Sequence, residues 1–569
     1  MLRLEVEDET LDLNPGTSIT VRRQSPAYLG EDVGKVKGDY SYPFDIPLTD
    51  HNRANLRHPN RLDSSELPRQ NLRARLYVGP QLILSGRLAI QKPGRTSAKV
   101  FLYSNPLADL TKLKLNDTEQ GTLETNGPSS LSALMKATAE APLDHDYVFA
   151  PVYNYALRDD DEFIPPVSDF VNSWNFDGQF FMTTFHVSPF LRVGPMLKRA
   201  VEAGGYSFTD GLHVSEEMQR QILISSRSLR FEQELSYRIP LKMCLPSMSV
   251  SDFLKSLCLT YCAAPFSELN GTHINLIPLR TLINAAPEDD WTNYADIEYT
   301  RDPGNGAVAR YQWGGDAYEP GYYFAEWDPD HPEPTRETAD FVDENNDIIP
   351  IRGGETVYFH GRSAVSIRKK IRGLLGVEFQ GSFGYVENDR GNDVISPAMT
   401  PAQTHIVYSF PSDGDQLVLA TVSLGMVGIQ TGEVEVPVAF GDITSERGQV
   451  DARLSFYRGL QRTRNGQLFP MINHEPSNSY FRQLEGDEVG LNWLGPNGLY
   501  QRWWKDWDGM LSNSSGVTRD FLLPLPSLLR FDFRHKIRVE NQNYFVKSME
   551  FSVSDAGVGV TKCALVSVS

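Results

Sequence analysis

A mainly β protein of several domains, with α+β elements between them, is the fold class this sequence predicts, on three observations. Tyr and Phe number 24 and 29 among 569 residues, and Gly and Pro 44 and 36, a balance that favours strands and turns over long helices. Apolar and polar residues alternate over short segments along much of the chain, the period of a half-buried strand. The length exceeds what one core serves, since domains of about 150 residues would make roughly four of it. The expected architecture is a set of barrel-like domains plus an inserted β-sandwich.

The first strand signal is TSITVRR around Val21. The stretch GDYSYPFDIPLTDHN, Gly38 to Asn52, follows: Tyr40, Tyr42 and Phe44 alternate as on a strand, Pro43 and Pro47 exclude a central strand, and Asp50, His51 and Asn52 read as a turn. LRARLYVGPQLILSGRLAI then alternates through Leu72, Ala74, Leu76 and Val78, breaks at Gly79-Pro80, and resumes at Leu82, Leu84, Gly86, Leu88 and Ile90, a hairpin with one buried face. Ala98, Val100 and Leu102 continue it. Residues 1–115 form an N-terminal β-barrel-like domain on this reading. The polar, turn-rich run from Leu115 to about Ser130 opens an irregular insertion, 116–190.

Helices are expected only in short, punctuated pieces. PMLKRAVEAGGYSF offers Pro195 at its start, Met196, Leu197, Ala200 and Val201 on one face, and Gly204-Gly205 as a stop. In SMSVSDFLKSLCLTYC, Ser249 and Asp252 cap a helix whose Val250, Phe253, Leu254, Leu257, Cys258 and Tyr261 share a face, and Asn270-Gly271 then suggests a hairpin turn. Residues 191–290 therefore read as an α+β domain. Residues 291–455 combine an acidic, Pro- and Gly-rich loop region with the strands TVYFHG, THIVYSF, QLVLATVSL and EVEVPVAF, spaced like an inserted β-sandwich. In 456–569, NGLYQRWWKDWDGML is a third helix, with Leu499, Trp503, Trp507 and Met510 on one face, and a β-meander closes the chain.

The formal net charge of −19 and pI near 5.1 disfavour a general affinity for nucleic-acid phosphates, which relies on Lys and Arg. The opening residues MLRLEVEDETLDL lack the basic start and apolar run of a secretory signal, and no apolar run reaches about 18 residues, so a soluble chain made in a cytoplasm is expected. Four cysteines without CxxC spacing imply buried, inert thiols. No phosphate-cradling glycine loop and no GxSxG elbow occurs, and His474-Glu475 lacks the second His of a zinc protease. Asp343, Asn345 and Asp347 begin like a calcium loop, but Ile348 stands where its tight-turn Gly belongs. His145 and His186 read as structural or surface histidines, and the tryptophans of RWWKDW as core rather than sugar platforms. No catalytic residue, cofactor or metal site is expected.

GDYSYPFDIPLTDHN, the hairpin ending LSGRLAIQ, the capped helix with its hairpin, RLSFYRGLQ, NWLGPNGLYQRWWKDWDGML and NQNYFVKSMEF together resemble tail (baseplate) hub proteins of phages and prophages of the Bacteroidetes type, related to hubs of contractile injection systems. The resemblance spans most of the chain and is strongest at residues 38–90 and 455–569. It implies a trimer in which two barrel-like domains per chain form a pseudo-sixfold ring joining tail tube to tail tip. It further implies a virion component at the tip or baseplate, with tube, tip or fibre proteins as partners and room for a contact with the host envelope, and with DNA in transit rather than bound by sequence. The acidity suits a lumen that repels phosphates. Under that reading Tyr40, Tyr42, Pro43, Phe44 and Pro47 form an edge strand and arm lying against a neighbour, the candidate assembly interface. The competing class is a tail-associated enzyme that degrades the cell envelope, or a glycan-binding module, which would show convergent carboxylates or exposed tryptophan.

Overall fold

The computed structural model describes residues 1–302, apart from 28–37, 60–71, 127, 154–169, 173, 176–178, 181–185, 226–228, 231–235 and 269–270; short segments between 307 and 422; and 452–568, apart from 463–467 and 477–485. The fold is mainly β and multidomain, with several sheets including a half-barrel.

The largest sheet holds 14 strands. Its path runs Glu9–Leu11, Leu2–Val6, Leu72–Val78, Gln81–Pro93, Ser97–Ser104, Asp39–Ser41, Ile19–Gln24, Gln542–Ser554, Gly557–Val568, Gly516–Phe521 and Ala295–Asp302. Phe44–Pro47 pairs with Ser97–Ser104, and Pro287–Asp290 joins through Lys536–Val539. The alternation works as expected in the N-terminal part: Leu2, Leu4 and Val6, Leu72, Ala74, Leu76 and Val78, and Ala98, Val100 and Leu102 are all buried, with the residues between them, mostly charged but including Tyr77 and Phe101, on the outer face. One detail differs. The hairpin register shifts between Leu76 and Tyr77, which pair with Leu84 and Leu82, so Ile83 is an extra, buried residue and Leu82 is only half-buried. A β-bulge thus resets the face of the incoming strand. Beyond it, Gly86 lies where an added Cβ would sit 2.1 Å from the Tyr103 carbonyl oxygen, so only glycine permits that approach.

The C-terminal meander is present as strands Lys536–Val539, Gln542–Ser554 and Gly557–Val568. It does not stand apart from the N-terminal half. Ile19–Gln24 pairs antiparallel with Val553 back to Ser548, six residues on each side, and this makes the two halves one sheet. Thr20 Oγ1 and Ser552 Oγ hydrogen-bond at 2.8 Å across the seam, Leu2 N–H donates to Asp555 at 2.6 Å, and the buried Arg23 guanidinium donates to the Leu528 carbonyl at 3.4 Å.

Between the halves lies an α+β region. Helix Val193–Ala203 buries Met196, Leu197, Ala200 and Val201 and ends at Gly204; helix Val250–Thr260 is capped by the Ser249 hydroxyl, which accepts from Asp252 N–H at 3.0 Å. Both pack on the sheet of Ser207–Asp210, His273–Pro278 and Ala263–Ser267, whose hairpin turns at Gly271 with φ +69°. A five-stranded sheet beside them takes Tyr147–Val148, Phe190–Arg192, Gln221–Ser225, Ala452–Arg462 and Leu468–Asn473. Its strands come from both sides of the 291–455 segment. The stretch read as irregular contains a helix, Pro128–Glu140, with Leu131, Met135 and Ala139 buried at four-residue spacing. Within 291–455, Leu375–Phe379, Thr404–Ser409 and Leu417–Val422 form an antiparallel sheet, and EVEVPVAF lies outside the described residues.

The tryptophan tract begins as a π-helical turn, Tyr500–Trp504, and continues as an α-helix, Lys505–Asn513. It bolts the middle of the molecule to the meander. Trp504 Nε1 donates to the Leu259 carbonyl at 3.0 Å, the Trp503 ring meets Tyr261 edge-on at 5.2 Å with the Arg280 guanidinium 4.1 Å above it, and Trp507 lies 5.8 Å from Phe545.

Candidate functional site

Gly38 to Asn52 is laid down against the N-terminal sheet residue by residue. An added Cβ on Gly38 would stand 1.7 Å from the Ser104 carbonyl oxygen, so the absent side chain lets this segment reach the strand Ser97–Ser104. Asp39–Ser41 sits between Ile19–Gln24 and Ser97–Ser104 rather than at an edge, because it is short enough to end before Pro43. Asp39 accepts from Arg23 Nε at 3.2 Å and Gln24 N–H at 3.1 Å, while burial raises its carboxyl above the ordinary Asp value against the pull of Arg23. Ser41 is buried and its hydroxyl accepts from Leu102 N–H at 2.9 Å.

Of the five predicted interface residues, Phe44 faces inward: it is 7% exposed and belongs to the protein's own core. Tyr42 and Pro43 are exposed, and Tyr40 and Pro47 are half-buried. Tyr40 and Tyr42 stack edge to face at 5.9 Å, and the Tyr42 hydroxyl donates to Glu550 at 2.7 Å, across the seam on the C-terminal half. That hydrogen bond to the carboxylate holds the Tyr42 phenol above its usual range. The expected turn at Asp50 is instead a short helix, Asp50–Asn55, capped by the Thr49 hydroxyl accepting from Asn52 N–H at 3.1 Å. Asn52, fully buried, fixes it in place: its side chain accepts from Asp12 N–H at 2.9 Å and donates to the carbonyls of Asp12 at 2.9 Å and Pro47 at 2.7 Å.

Two buried polar clusters were not legible as such in the sequence. Arg458, 1% exposed, donates to Glu217 at 2.8 Å and to the Val489 carbonyl at 2.7 Å and lies 3.4 Å from Asp487; Glu217 also accepts from Glu488 and Val489 N–H at 2.9 and 2.7 Å. This clasps the loop ahead of the tryptophan tract to the five-stranded sheet. Next to it, His474 is buried and held down to about 3, and the Glu475 carboxyl is pushed up to about 7; burial is the main cause in both. The second cluster runs Asp210, His213, Gln221, Tyr261: His213 Nδ1 lies 2.6 Å from Asp210 and Nε2 2.8 Å from Gln221, whose amide nitrogen donates to the Tyr261 hydroxyl. An acid orienting a histidine is a motif of catalysis, but here His213, Gln221 and Tyr261 are all buried and the chain ends inside the core. The arrangement holds elements in register and presents no reactive atom to a dissolved substrate.

The remaining candidates are placed as follows. Trp503, Trp504 and Trp507 are buried and offer no stacking face to a sugar. All four thiols are buried, and burial pushes those of Cys258, Cys262 and Cys563 up. His145 is half-buried, with its backbone carbonyl accepting from Arg192 at 2.6 Å. Asp343, Asn345 and Asp347 lie outside the described residues, and among those described no group of His, Cys, Asp and Glu is placed to hold a metal ion. No described helix is long and apolar enough to cross a membrane.

No family model and no curated protein matches this chain. Among solved structures it is similar to the 43 kDa tail protein of prophage MuSo2 from Shewanella oneidensis, with a TM-score of 0.34 and 7% identity over 99% of this chain and 96% of that one. Prophage tail protein gp18 from Listeria monocytogenes EGD-e gives 0.31 and 7% over 99% and 94%, and the tail protein from Neisseria meningitidis MC58 gives 0.28 and 9% over 99% and 95%. Scores of this size do not establish a common fold.

Proposed function

We propose that this chain is a structural component of a phage-type tail, a hub at the tip or baseplate that forms a ring, expected to be trimeric, between tail tube and tip. One observation carries the reading: β units from opposite ends of the chain are fused edge to edge through Ile19–Gln24 and Ser548–Val553, so each chain contributes two β units side by side to a shared rim. A closed ring of few chains needs units that are rigid relative to each other, and a hydrogen-bonded seam braced by the tryptophan tract supplies that. The net charge of −19 suits a passage for DNA that is not retained. The reading places the chain in the virion, made in the host cytoplasm, without enzymatic activity. Its partners are tube and tip or fibre proteins.

The test is the mass in solution of the full chain, by light scattering after gel filtration, together with negative-stain images. Rings of three copies are expected. A strictly monomeric protein at every concentration, or one that cleaves peptidoglycan, overturns the proposal.

A further inference from the structure

Among the described residues, one end of the 14-stranded sheet is the strand Ala295–Asp302, and it is exposed on both faces from Asp296 through Arg301. Ile297 is 89% exposed, Tyr299 51%, and Leu522, whose N–H donates to the Tyr294 carbonyl at 2.8 Å, 71%. Asp296 and Glu298 alternate with these apolar residues, and exposed Glu288, Asp289 and Asp290 precede them. The register with Gly516–Phe521 slips between Ala295 and Tyr299, which pushes Ile297 outward on a bulge. The bulge and the charges of Asp296, Glu298 and Arg301 guard the strand against edge-to-edge pairing, while Ile297, Leu522 and Tyr299, the last with the Arg519 guanidinium 5.6 Å over its ring, leave an apolar strip that a side-on contact can cover.

In a chain of net charge −19, one described face has the opposite character. Lys92 and Lys99 stand directly opposite each other on the hairpin Gln81–Pro93 and Ser97–Ser104, both exposed, with exposed Arg95 in the turn between them. On the same outward face of Ser97–Ser104 follow half-buried Phe101 and Tyr103, the latter paired with Tyr40, which stacks on Tyr42. Exposed Asp45 pairs with Lys99 from its other side, so Lys92, Arg95 and Lys99 leave the tip net positive rather than free of acid, and the face is aromatic along its length up to Tyr42, which is held by Glu550. Five strands separate Ser97–Ser104 from Ala295–Asp302 along the sheet, so the two surfaces lie at different places on one molecule.

We propose that the acidic-apolar strand Ala295–Asp302 of one copy docks on the basic-aromatic face of Lys92, Lys99, Phe101 and Tyr40 of a second copy. The contact is head-to-tail, the kind that closes into a ring, and so the inference rests on the hub reading while naming its interface. Asp296 and Glu298 meet Lys92 and Lys99, and Ile297 and Tyr299 lie against Phe101 and the Tyr40–Tyr42 pair. Local attraction there offsets the general repulsion between copies of an acidic chain.

The experiment is sedimentation of the full chain at low salt for wild type, D296K/E298K, K92E/K99E and an equimolar mixture of the two double variants. All four changed residues are exposed, so the fold tolerates them. Each variant alone is expected to lose self-association by at least about tenfold, because like charges then face each other, and the mixture to recover a contact between unlike partners. A wild-type oligomer that survives in both variants, or a mixture that recovers nothing, overturns this interface and leaves the ring reading standing. A wild type that never self-associates overturns the ring reading itself.

Discussion

Replacing Glu475 by Gln removes a carboxyl that the fold holds in an unfavourable place. Its Oε1 accepts one long hydrogen bond, from Asn492 N–H at 3.3 Å, and the carboxyl group presses on Gly490, where an added Cβ would lie 2.5 Å from it. Its pKa rises from 4.5 to about 7, chiefly by burial and partly offset by Arg458. Below pH 4.5 the group is protonated in both folded and unfolded chains and costs nothing. As pH rises from 4.5 to 7 the unfolded chain gives up the proton first, so stability falls, by about 3 kcal/mol at about 1.4 kcal/mol per pKa unit. His474 works in the opposite sense: held down from 6.5 to about 3, it contributes stability above pH 6.5 that is lost as pH falls toward 3. Between pH 4.5 and 6.5 the two slopes cancel. Urea unfolding followed by tryptophan fluorescence, with Trp493 two residues beyond Leu491 on the clasped loop, should show E475Q gaining about 3 kcal/mol over wild type between pH 4.5 and 7, the contributions of the other carboxyls being common to both. The packing effect of the substitution is independent of pH and drops out of the difference. If E475Q shifts stability equally at pH 4.5 and 8, burial does not hold this carboxyl protonated and the reasoning fails.

Gly38→Ala should lower the free energy of unfolding by about 1–3 kcal/mol, since the methyl meets the Ser104 backbone and not a movable side chain; unchanged stability in a denaturant titration would show that Asp39–Ser41 does not approach that strand. Arg458→Met leaves Glu217 buried without its cation, while Asp487 keeps Arg220 at 3.5 Å, and should cost about 3–5 kcal/mol, less in a variant that also carries Glu217→Gln. Phe44→Ser should cost about 3–5 kcal/mol in thermal unfolding by opening a core cavity, whereas Tyr42→Ser should leave the fold within about 1 kcal/mol and weaken self-association; the opposite pattern would put Phe44 on the surface.

The helices Val193–Ala203 and Val250–Thr260 were legible because period, cap and stop agreed: Gly204 ends one and Ser249 begins the other. The helix Pro128–Glu140 carried the same signals more faintly, Pro128 at its start and Leu131, Met135 and Ala139 at four-residue spacing, behind a polar run that read as a linker. The helix Asp50–Asn55 spans too few residues for a period to show, and Thr49 as its cap is the residue that betrays it. The pairing of Ile19 with Val553 had no local signal at all, since alternation fixes a strand's face but not its partner. The buried Arg458 was visible only as a charge inside the apolar run LSFYRGL, a pattern shared with surface strands. For Gly38 to Asn52 the sequence marked a special segment and the structure reassigned its parts, Phe44 to the core and Asn52 from turn to buried staple.

The seam between Ile19–Gln24 and Ser548–Val553 also sets an order of events during translation. A ribosome adding about 5–20 residues per second needs roughly 30–100 seconds to travel from one strand to the other. Throughout that time the nascent N-terminal unit carries an open hydrogen-bonding edge at Ile19–Gln24 on a polysome crowded with identical chains. A C-terminal nonsense mutation ahead of Ser548 would leave that edge open permanently, so loss of the meander should appear first as insolubility of the N-terminal unit.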